Sequence, residues 1–163
     1  MKGRKRHRPV RILLVDDDAA TVLAVSEALR DRLRDEIVVL TATSAETAIP
    51  LISASCDIVI SDILMPGLSG LAVLKEVRRV TPSTPVILMT AGAFDKEEAA
   101  LYGGAYAFIE KPVGVDHLVS VIKAALERRA LDHEVTESNR RSILNLQMKS
   151  VVDAFASPNR SKR

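Results

Sequence analysis

The stretch "ILLVDDDAA", residues 12–20, runs four apolar residues directly into three consecutive aspartates. The apolar run is typical of a strand that is covered on both faces. Neighbouring carboxylates repel one another, and a buried carboxylate is costly unless it is paired. Asp16, Asp17 and Asp18 therefore belong either to a solvated loop or to a site that needs negative charge.

Short apolar runs rich in Val and Ile recur along the chain and alternate with helical patterns. The five runs are "VRILLV" (10–15), "IVVLTA" (37–42), "DIVIS" (57–61), "PVILMT" (85–90) and "AYAFIE" (105–110). The helical patterns cover residues 20–34, 44–54 and 70–80, a short segment that begins at Asp95, and residues 115–130. Strict alternation predicts an α/β fold: a doubly wound five-stranded parallel sheet with five helices. Pro50 is expected to kink or shorten the second helix.

The charge distribution and the single cysteine exclude several classes of protein. Residues 1–11 carry six bases and no acid, residues 12–126 carry 16 acids and nine bases, and residues 127–163 carry five acids and eight bases. We interpret the basic ends as solvated tails, since they contain no recognisable nucleic-acid-binding motif. No apolar run reaches the ~20 residues of a membrane span. Cys56 stands alone, which excludes an internal disulfide and fits a cytoplasmic protein.

Polar residues follow four of the five predicted strands. Asp16 and Asp17 follow the first, Asp62 ends the third, Thr90 ends the fourth and Lys111 follows the fifth. Because the carboxyl ends of parallel strands meet at one edge, we expect these side chains to converge. Clustered carboxylates suit Mg²⁺, and a carboxylate beside that ion can attack a phosphoryl group. A lysine would neutralise charge on the transferring group.

Each of these residues also has a purely structural interpretation. An aspartate after a strand often caps the next helix, and we predict that role for Asp18. A Lys-Pro pair is often only a turn, and Thr90 suits a strand by its β-branched side chain alone. The coincidence of four matches at four strand ends favours a site.

The segments "LLVDDD", "SDILMPGLSG", "MTAG" and "IEKP" resemble those of bacterial two-component response-regulator receiver domains, over about residues 10–130. The resemblance implies a flavodoxin-like strand order of 2-1-3-4-5 and a phospho-acceptor at Asp62. Asp16 and Asp17 would serve Mg²⁺, with Asp17 the more direct ligand. The backbone carbonyl of Leu64 would be a further ligand.

The resemblance also implies a switch. Lys111 would hold the phosphoryl group, Thr90 would be the switch hydroxyl and Phe108 the rotating aromatic residue. The loop after the acceptor would be shaped by Met65, Pro66, Gly67 and Gly70. Phosphorylation by a cognate histidine kinase or phosphotransfer protein would then change the face formed by the fourth helix, the fifth strand and the fifth helix. The output would be altered dimerisation or partner binding.

We divide the chain into a flexible basic tail (1–9), a receiver domain (10–130) and a helical extension with a disordered end (131–163). Leu144, Met148, Val151, Val152 and Phe155 recur at helical spacing and predict a helix over residues 140–155. A continuous helix from residue 115 to 155 is the alternative, although the heptad pattern falters around residues 138–141.

The extension has two interpretations: a helix that packs on the domain, or a linker helix that forms a homodimer. The chain is either a stand-alone receiver or the N-terminal part of a longer DNA-binding or enzymatic regulator. His133 is a lone histidine to which we assign no role.

Two other functions compete with that of a phosphorylatable, non-enzymatic signalling domain. A Mg²⁺-dependent phosphatase with an aspartyl nucleophile favours a second aspartate two residues further on. Asp16 with Asp18 meets that requirement, whereas Asp62 is followed by Ile63 and Leu64. A DNA-binding protein that acts through its basic ends would show strongly salt-dependent affinity without sequence preference.

Overall fold

The structure, a computed structural model, describes residues 8–92 and 103–156. Five strands pair in parallel in the order β2-β1-β3-β4-β5. The strands are β1 Val10–Val15, β2 Ile37–Ala42, β3 Ile58–Asp62, β4 Val86–Thr90 and β5 Ala107–Glu110. Every residue of β3 and β4 is buried, as expected for strands covered on both faces. The predicted doubly wound sheet and its strand order are confirmed.

Four α-helices lie within residues 8–92 and 103–156, whereas the sequence predicts five. They are α1 Ala19–Leu33, α2 Ala45–Ala48, α3 Gly70–Val80 and α4 Val115–Ala156. The helix predicted to begin at Asp95 lies outside the described residues. The second helix is shorter than predicted, because after Ala48 the chain tightens into a 3-10 turn, Ile49–Leu51, that contains Pro50.

The core consists of two apolar layers, one on each face of the sheet. Alternate residues of each strand enter opposite layers, so that Leu13 and Val15 lie in one and Ile12 and Leu14 in the other. The first layer contains residues of α2 and α3, and the second contains residues of α1 and of the N-terminal part of α4. The strand ends are therefore held between packed helices, which fixes the edge where the polar residues meet.

The helix predicted over residues 115–130 continues without a break to Ala156, so the continuous alternative is the one that the structure adopts. Its N-terminal part buries Leu118, Ile122 and Ala125. The chain divides into two compact units after Glu127, and residues from Arg128 onward form the second unit. No helix in the described part of the chain is long and apolar enough to span a bilayer.

Arg8, which the sequence places in a flexible tail, makes a two-point ion pair with Asp57. Its two terminal nitrogens donate to the two carboxylate oxygens, each at 2.8 Å. Asp57 also accepts from the backbone N–H of Arg11 at 2.9 Å. This contact therefore ties residue 8, which precedes β1, to the start of β3.

Candidate functional site

The three consecutive aspartates have three different environments. Asp16 is 1% exposed, and its Oδ1 accepts a hydrogen bond from the backbone N–H of Asp18 at 3.0 Å. Asp17 is exposed. Asp18 caps α1, since its carboxylate accepts from the Thr21 hydroxyl at 2.7 Å and from the Ala20 N–H at 3.1 Å. The Thr21 bond, followed by the Ala20 bond, lowers the pKa of Asp18 below its ordinary value. The predicted N-cap is confirmed.

Asp62, the last residue of β3, is 5% exposed. Its Oδ1 accepts from the backbone N–H of Leu64 at 3.3 Å, which orients the carboxylate toward the loop after the strand. Gly70 passes very close to this loop: a Cβ on Gly70 would lie 2.0 Å from the carbonyl oxygen of Asp62. Gly70 is therefore needed for more than the predicted turn, because only glycine allows α3 to begin against the backbone of Asp62.

Lys111 joins the ends of β1 and β3 across the sheet. Its Nζ donates to Asp16 Oδ2 at 2.5 Å and to Asp62 Oδ2 at 2.9 Å. Burial lowers the pKa of Lys111, but the hydrogen bonds to Asp16 and Asp62 outweigh it and raise the pKa above its ordinary value. The backbone N–H of Lys111 donates to the carbonyl of Thr90 at 2.7 Å, which ties the lysine to the end of β4.

Asp16, Asp17 and Asp62 together form a group that could hold a cation. One carboxylate oxygen from each residue lies within 4.8 Å of those of the other two. Such an all-oxygen set suits a hard cation, and the exposure of Asp17 leaves room for water on the same ion. Asp17 and Asp62 are 45 positions apart in the chain, and they meet because parallel strands end at the same edge of the sheet.

The two predicted switch residues lie on neighbouring strands: Thr90 ends β4 and Phe108 lies within β5. Thr90 is buried, and its hydroxyl donates to the carbonyl of Gly92 at 3.3 Å, toward the loop that follows β4. Phe108 is half-buried in β5 and packs against the core layer shared with α2 and α3. Leu64 has an exposed side chain in the loop after Asp62. The structure therefore brings together Asp16, Asp17, Asp62 and Lys111.

Sequence reasoning missed Glu46, which supports the loop after Asp62. Its Oε1 accepts from the backbone N–H of Leu68 at 3.1 Å. Hydrogen bonds from its own backbone N–H and from that of Leu68 lower the pKa of Glu46. Gly67 adopts a φ of 75°, and a Cβ there would lie 2.7 Å from Glu46 Oε1. No local pattern reveals this contact, since it joins α2 to a loop 22 residues away.

A pocket of about 420 Å³ opens beside Lys111. Its other lining residues come from α1, the end of β4 and the segment after Lys111: Thr21, Ala24, Val25, Met89, Ala91, Pro112 and Val113. Most of its lining is apolar, whereas Lys111 is charged. Lys111 therefore lies both in the lining of this pocket and in contact with the carboxylates of Asp16 and Asp62.

Comparison with known proteins identifies the family of this chain. The model of the response regulator receiver domain family matches residues 12–123. The transcriptional regulatory protein GlrR of Escherichia coli K12 is 36% identical over 125 residues, which cover 76% of this chain and 28% of GlrR. The response regulator MprA of Mycolicibacterium vanbaalenii is 33% identical over 146 residues, or 88% of this chain and 62% of MprA. The chain spans less than two thirds of the length of either relative.

Solved structures show the same fold. A receiver domain protein from Clostridium thermocellum superposes with a TM-score of 0.68 at 32% identity, covering 75% of this chain and 98% of that one. NtrX from Brucella abortus superposes with a TM-score of 0.68 at 34% identity, covering 77% of this chain and 29% of that one.

Proposed function

This chain belongs to the response regulator receiver domain family, and on that premise we propose that Asp62 accepts a phosphoryl group. The donor is the phosphohistidine of a histidine kinase or phosphotransfer protein, or a small acyl phosphate. The observation that carries the proposal is the bridge from Lys111 Nζ to the carboxylates of Asp62 and Asp16. It places a cation beside the oxygen that would attack.

The proposed step is a substitution at phosphorus. An oxygen of Asp62 forms a bond to the phosphorus atom, and the bond from phosphorus to the donor breaks with its electron pair left on the donor. When the donor is phosphohistidine, the departing imidazole nitrogen then takes up a proton. Lys111 stays protonated, as its raised pKa requires, and stabilises the negative charge on the equatorial oxygens.

Mg²⁺ fits the carboxylate cluster, and we propose that Asp16, Asp17, Asp62 and the carbonyl of Leu64 hold it. All four supply oxygen, the donor type that this ion prefers, and the three carboxylates already lie together. When bound, the ion would supply positive charge to the transferring phosphoryl group. Asp16 and Asp62 also bond to Lys111, so the lysine and the ion would share these two buried carboxylates.

The phosphorylated form would act through Thr90 and Phe108. A phosphoryl group adds about −2 charge and strong hydrogen-bond acceptors next to Lys111. We propose that the Thr90 hydroxyl leaves the Gly92 carbonyl and donates to the phosphoryl group, and that Phe108 turns into the space so vacated. Such a shift alters the face around β5 and thereby changes self-association or partner binding.

The pocket beside Lys111 is the surface that we propose for the phosphodonor protein. Its apolar walls would receive an apolar side of the donor while the phosphohistidine reaches Asp62. We place this encounter in the cytoplasm. The named relatives are regulators longer than this chain, so a further output module beyond the receiver is consistent with the comparisons.

A phosphatase with Asp16 as nucleophile is not favoured. It would need the carboxyl of Asp18 as acid and base, and that carboxylate is engaged in capping α1. Asp16 is itself buried and bonded to Lys111.

The test is intact-mass spectrometry after incubation with Mg²⁺ and acetyl phosphate. We expect an adduct of ~80 Da in the wild type and none in Asp62→Asn. The matched control is Asp18→Asn, because asparagine also caps helices and Asp18 lies in the same aspartate run. An adduct that persists in Asp62→Asn would contradict the acceptor, and so would a wild type that binds Mg²⁺ but accepts nothing.

A further inference from the structure

The loop that joins β3 to α3 carries one of the groups proposed to hold Mg²⁺, the backbone carbonyl of Leu64. The start of this loop is anchored to the sheet, because the backbone N–H of Ile63 donates to the carbonyl of Met89 at 2.9 Å. Its end is anchored to its start, since the N–H of Gly70 donates to the carbonyl of Ile63 at 3.0 Å. A backbone ligand has no side-chain torsion with which to adjust, so the position of its oxygen depends on how the loop is held.

Glu46 holds the part of the loop that lies between these anchors. Its Oε1 accepts from the backbone N–H of Leu68 at 3.1 Å, a contact between α2 and a residue 22 positions further on. A hydrogen bond to a charged acceptor is stronger than one between neutral groups. Gly67 passes so close that a Cβ on it would lie 2.7 Å from the same oxygen. A side chain at position 67 would therefore displace the carboxylate to which Leu68 donates.

The position of Glu46 is fixed by the packing of α2. Ala45 and Ala48 are fully buried in the core layer that also contains residues of α3, and Ser44 caps the helix. Hydrogen bonds from its own backbone N–H and from the loop lower the pKa of Glu46, so the side chain is ionised at neutral pH. Glu46 therefore presents a charged acceptor to the loop from the start of a packed helix.

Glu46 acts from outside the carboxylate cluster. Within the described residues, the carboxylates close enough together to share one cation are those of Asp16, Asp17 and Asp62. A contribution of Glu46 to cation binding would therefore pass through the loop that it holds.

We infer that Glu46 is a positioning residue for the cation site: by holding Leu68, it keeps the loop in the conformation that offers the Leu64 carbonyl to a cation. The inference rests on the proposed Mg²⁺ site. Mg²⁺ requires a nearly ideal octahedron of ligands, whereas Ca²⁺ accepts irregular geometry. Loss of the loop position therefore weakens the binding of Mg²⁺ more than that of Ca²⁺, whereas loss of a negative charge weakens both alike.

The first test separates the reach of Glu46 from its charge, by calorimetric titration of the full chain with MgCl₂. Glu46→Asp keeps the charge but withdraws the carboxylate from the Leu68 N–H by one methylene. We expect it to weaken Mg²⁺ binding roughly fivefold, less than is usual for a residue that orients metal ligands, because Glu46 is exposed. Glu46→Gln keeps the length and an accepting oxygen, and its affinity should stay within about twofold of the wild type, since water and salt screen an exposed charge. The reverse order of the two variants would overturn the inference.

The second test compares MgCl₂ with CaCl₂ on Glu46→Ala, which removes both the charge and the hydrogen bond. We expect a larger loss of affinity for Mg²⁺ than for Ca²⁺. Glu27→Ala, which removes an exposed glutamate of α1, is the control and should leave both affinities unchanged. Equal losses for the two ions on Glu46→Ala would indicate an effect of charge and overturn the inference.

The acetyl phosphate adduct distinguishes this inference from the proposed function. The Mg²⁺ concentration that gives half the maximal rate of adduct formation should rise for Glu46→Asp by the same factor as the dissociation constant. If the wild type binds Mg²⁺ and forms the adduct, but Glu46→Asp binds Mg²⁺ as tightly, the inference fails and the proposed function stands. A wild type that binds no Mg²⁺ would overturn both. Circular dichroism without metal should show wild-type helix content in each variant, and a loss in Glu46→Asp would assign Glu46 to the fold rather than to the site.

Discussion

The charges at the sheet edge and the charges of the C-terminal helix segment are held in opposite ways. Lys111 is 22% exposed and bonds to Asp16, a residue 95 positions away. Arg128 and Asp132 lie one helical turn apart, and their side chains are 69% and 65% exposed. The first contact exists only when the whole sheet has formed, whereas the second requires one turn of helix. Substitutions at the sheet edge should therefore affect the fold and the site together.

The largest effect is expected from Gly70→Ala. A Cβ at this position would lie 2.0 Å from the carbonyl oxygen of Asp62, so the start of α3 or the end of β3 must move. We expect the free energy of unfolding in urea to fall by about 3 kcal/mol and the acetyl phosphate adduct to be reduced. Gly92→Ala is the control, since within the described residues no atom beyond its chain neighbours lies within 4 Å of a Cβ there. Equal stability of the two variants would contradict the role given to Gly70.

Lys111→Met should have the next largest effect. It leaves the carboxylates of Asp16 and Asp62 close together without their shared cation. We expect the free energy of unfolding to fall by about 2 kcal/mol with metal removed, less than for a fully buried ion pair because Lys111 is partly exposed.

Mg²⁺ sharpens this prediction, because the ion can replace the charge that Lys111 provided. Titration with Mg²⁺ should raise the urea midpoint of Lys111→Met more than that of the wild type. Lys123→Met, which removes an exposed lysine of α4, serves as the control. A Lys111→Met protein as stable as Lys123→Met without metal would show that the bridge contributes no stability.

Asp17 and Asp18 should separate ion binding from stability. Asp18→Ala removes the cap of α1, so we expect a thermal midpoint lower by a few degrees with Mg²⁺ affinity largely kept. Asp17→Ala should show the reverse: an unchanged midpoint without metal and at least tenfold weaker Mg²⁺ binding by calorimetry. If both variants lost Mg²⁺ binding equally, the division of roles between the two aspartates would be wrong.

The sheet edge is the more predictable of the two regions. Continuous apolar runs identify the five strands, and the rule that parallel strand ends share one edge brings Asp16, Asp62 and Lys111 together on the sequence alone. The contact of Glu46 with Leu68 is not predictable, because it depends on how α2 packs beside a distant loop. The close approach of Gly70 to Asp62 is not predictable either, because a glycine in a loop is already explained by its tendency to form turns.

In the C-terminal helix segment, the sequence pattern is a poor guide to where the helix ends. The faltering pattern around residues 138–141 suggests a break, yet α4 continues through it. An apolar repeat indicates which side of a helix packs against other residues. Whether the helix continues also depends on local hydrogen bonds, such as that from the Thr136 hydroxyl to the carbonyl of Asp132. Residues without strong helix-breaking character therefore extend a helix whose first turns are already held by the core.

The smallest effect is expected from Arg128→Ala. An exposed pair at this spacing is worth a fraction of the stability of a partly buried one, because water screens both charges and two long side chains must be ordered. We expect the thermal midpoint to change by no more than about 1 °C. Circular dichroism with and without added salt measures the midpoint, and Lys111→Met is measured alongside for comparison. Should Arg128→Ala lower the midpoint as much as Lys111→Met does, the contrast between locally and globally held charges would fail, and the helix segment would belong to the cooperative fold.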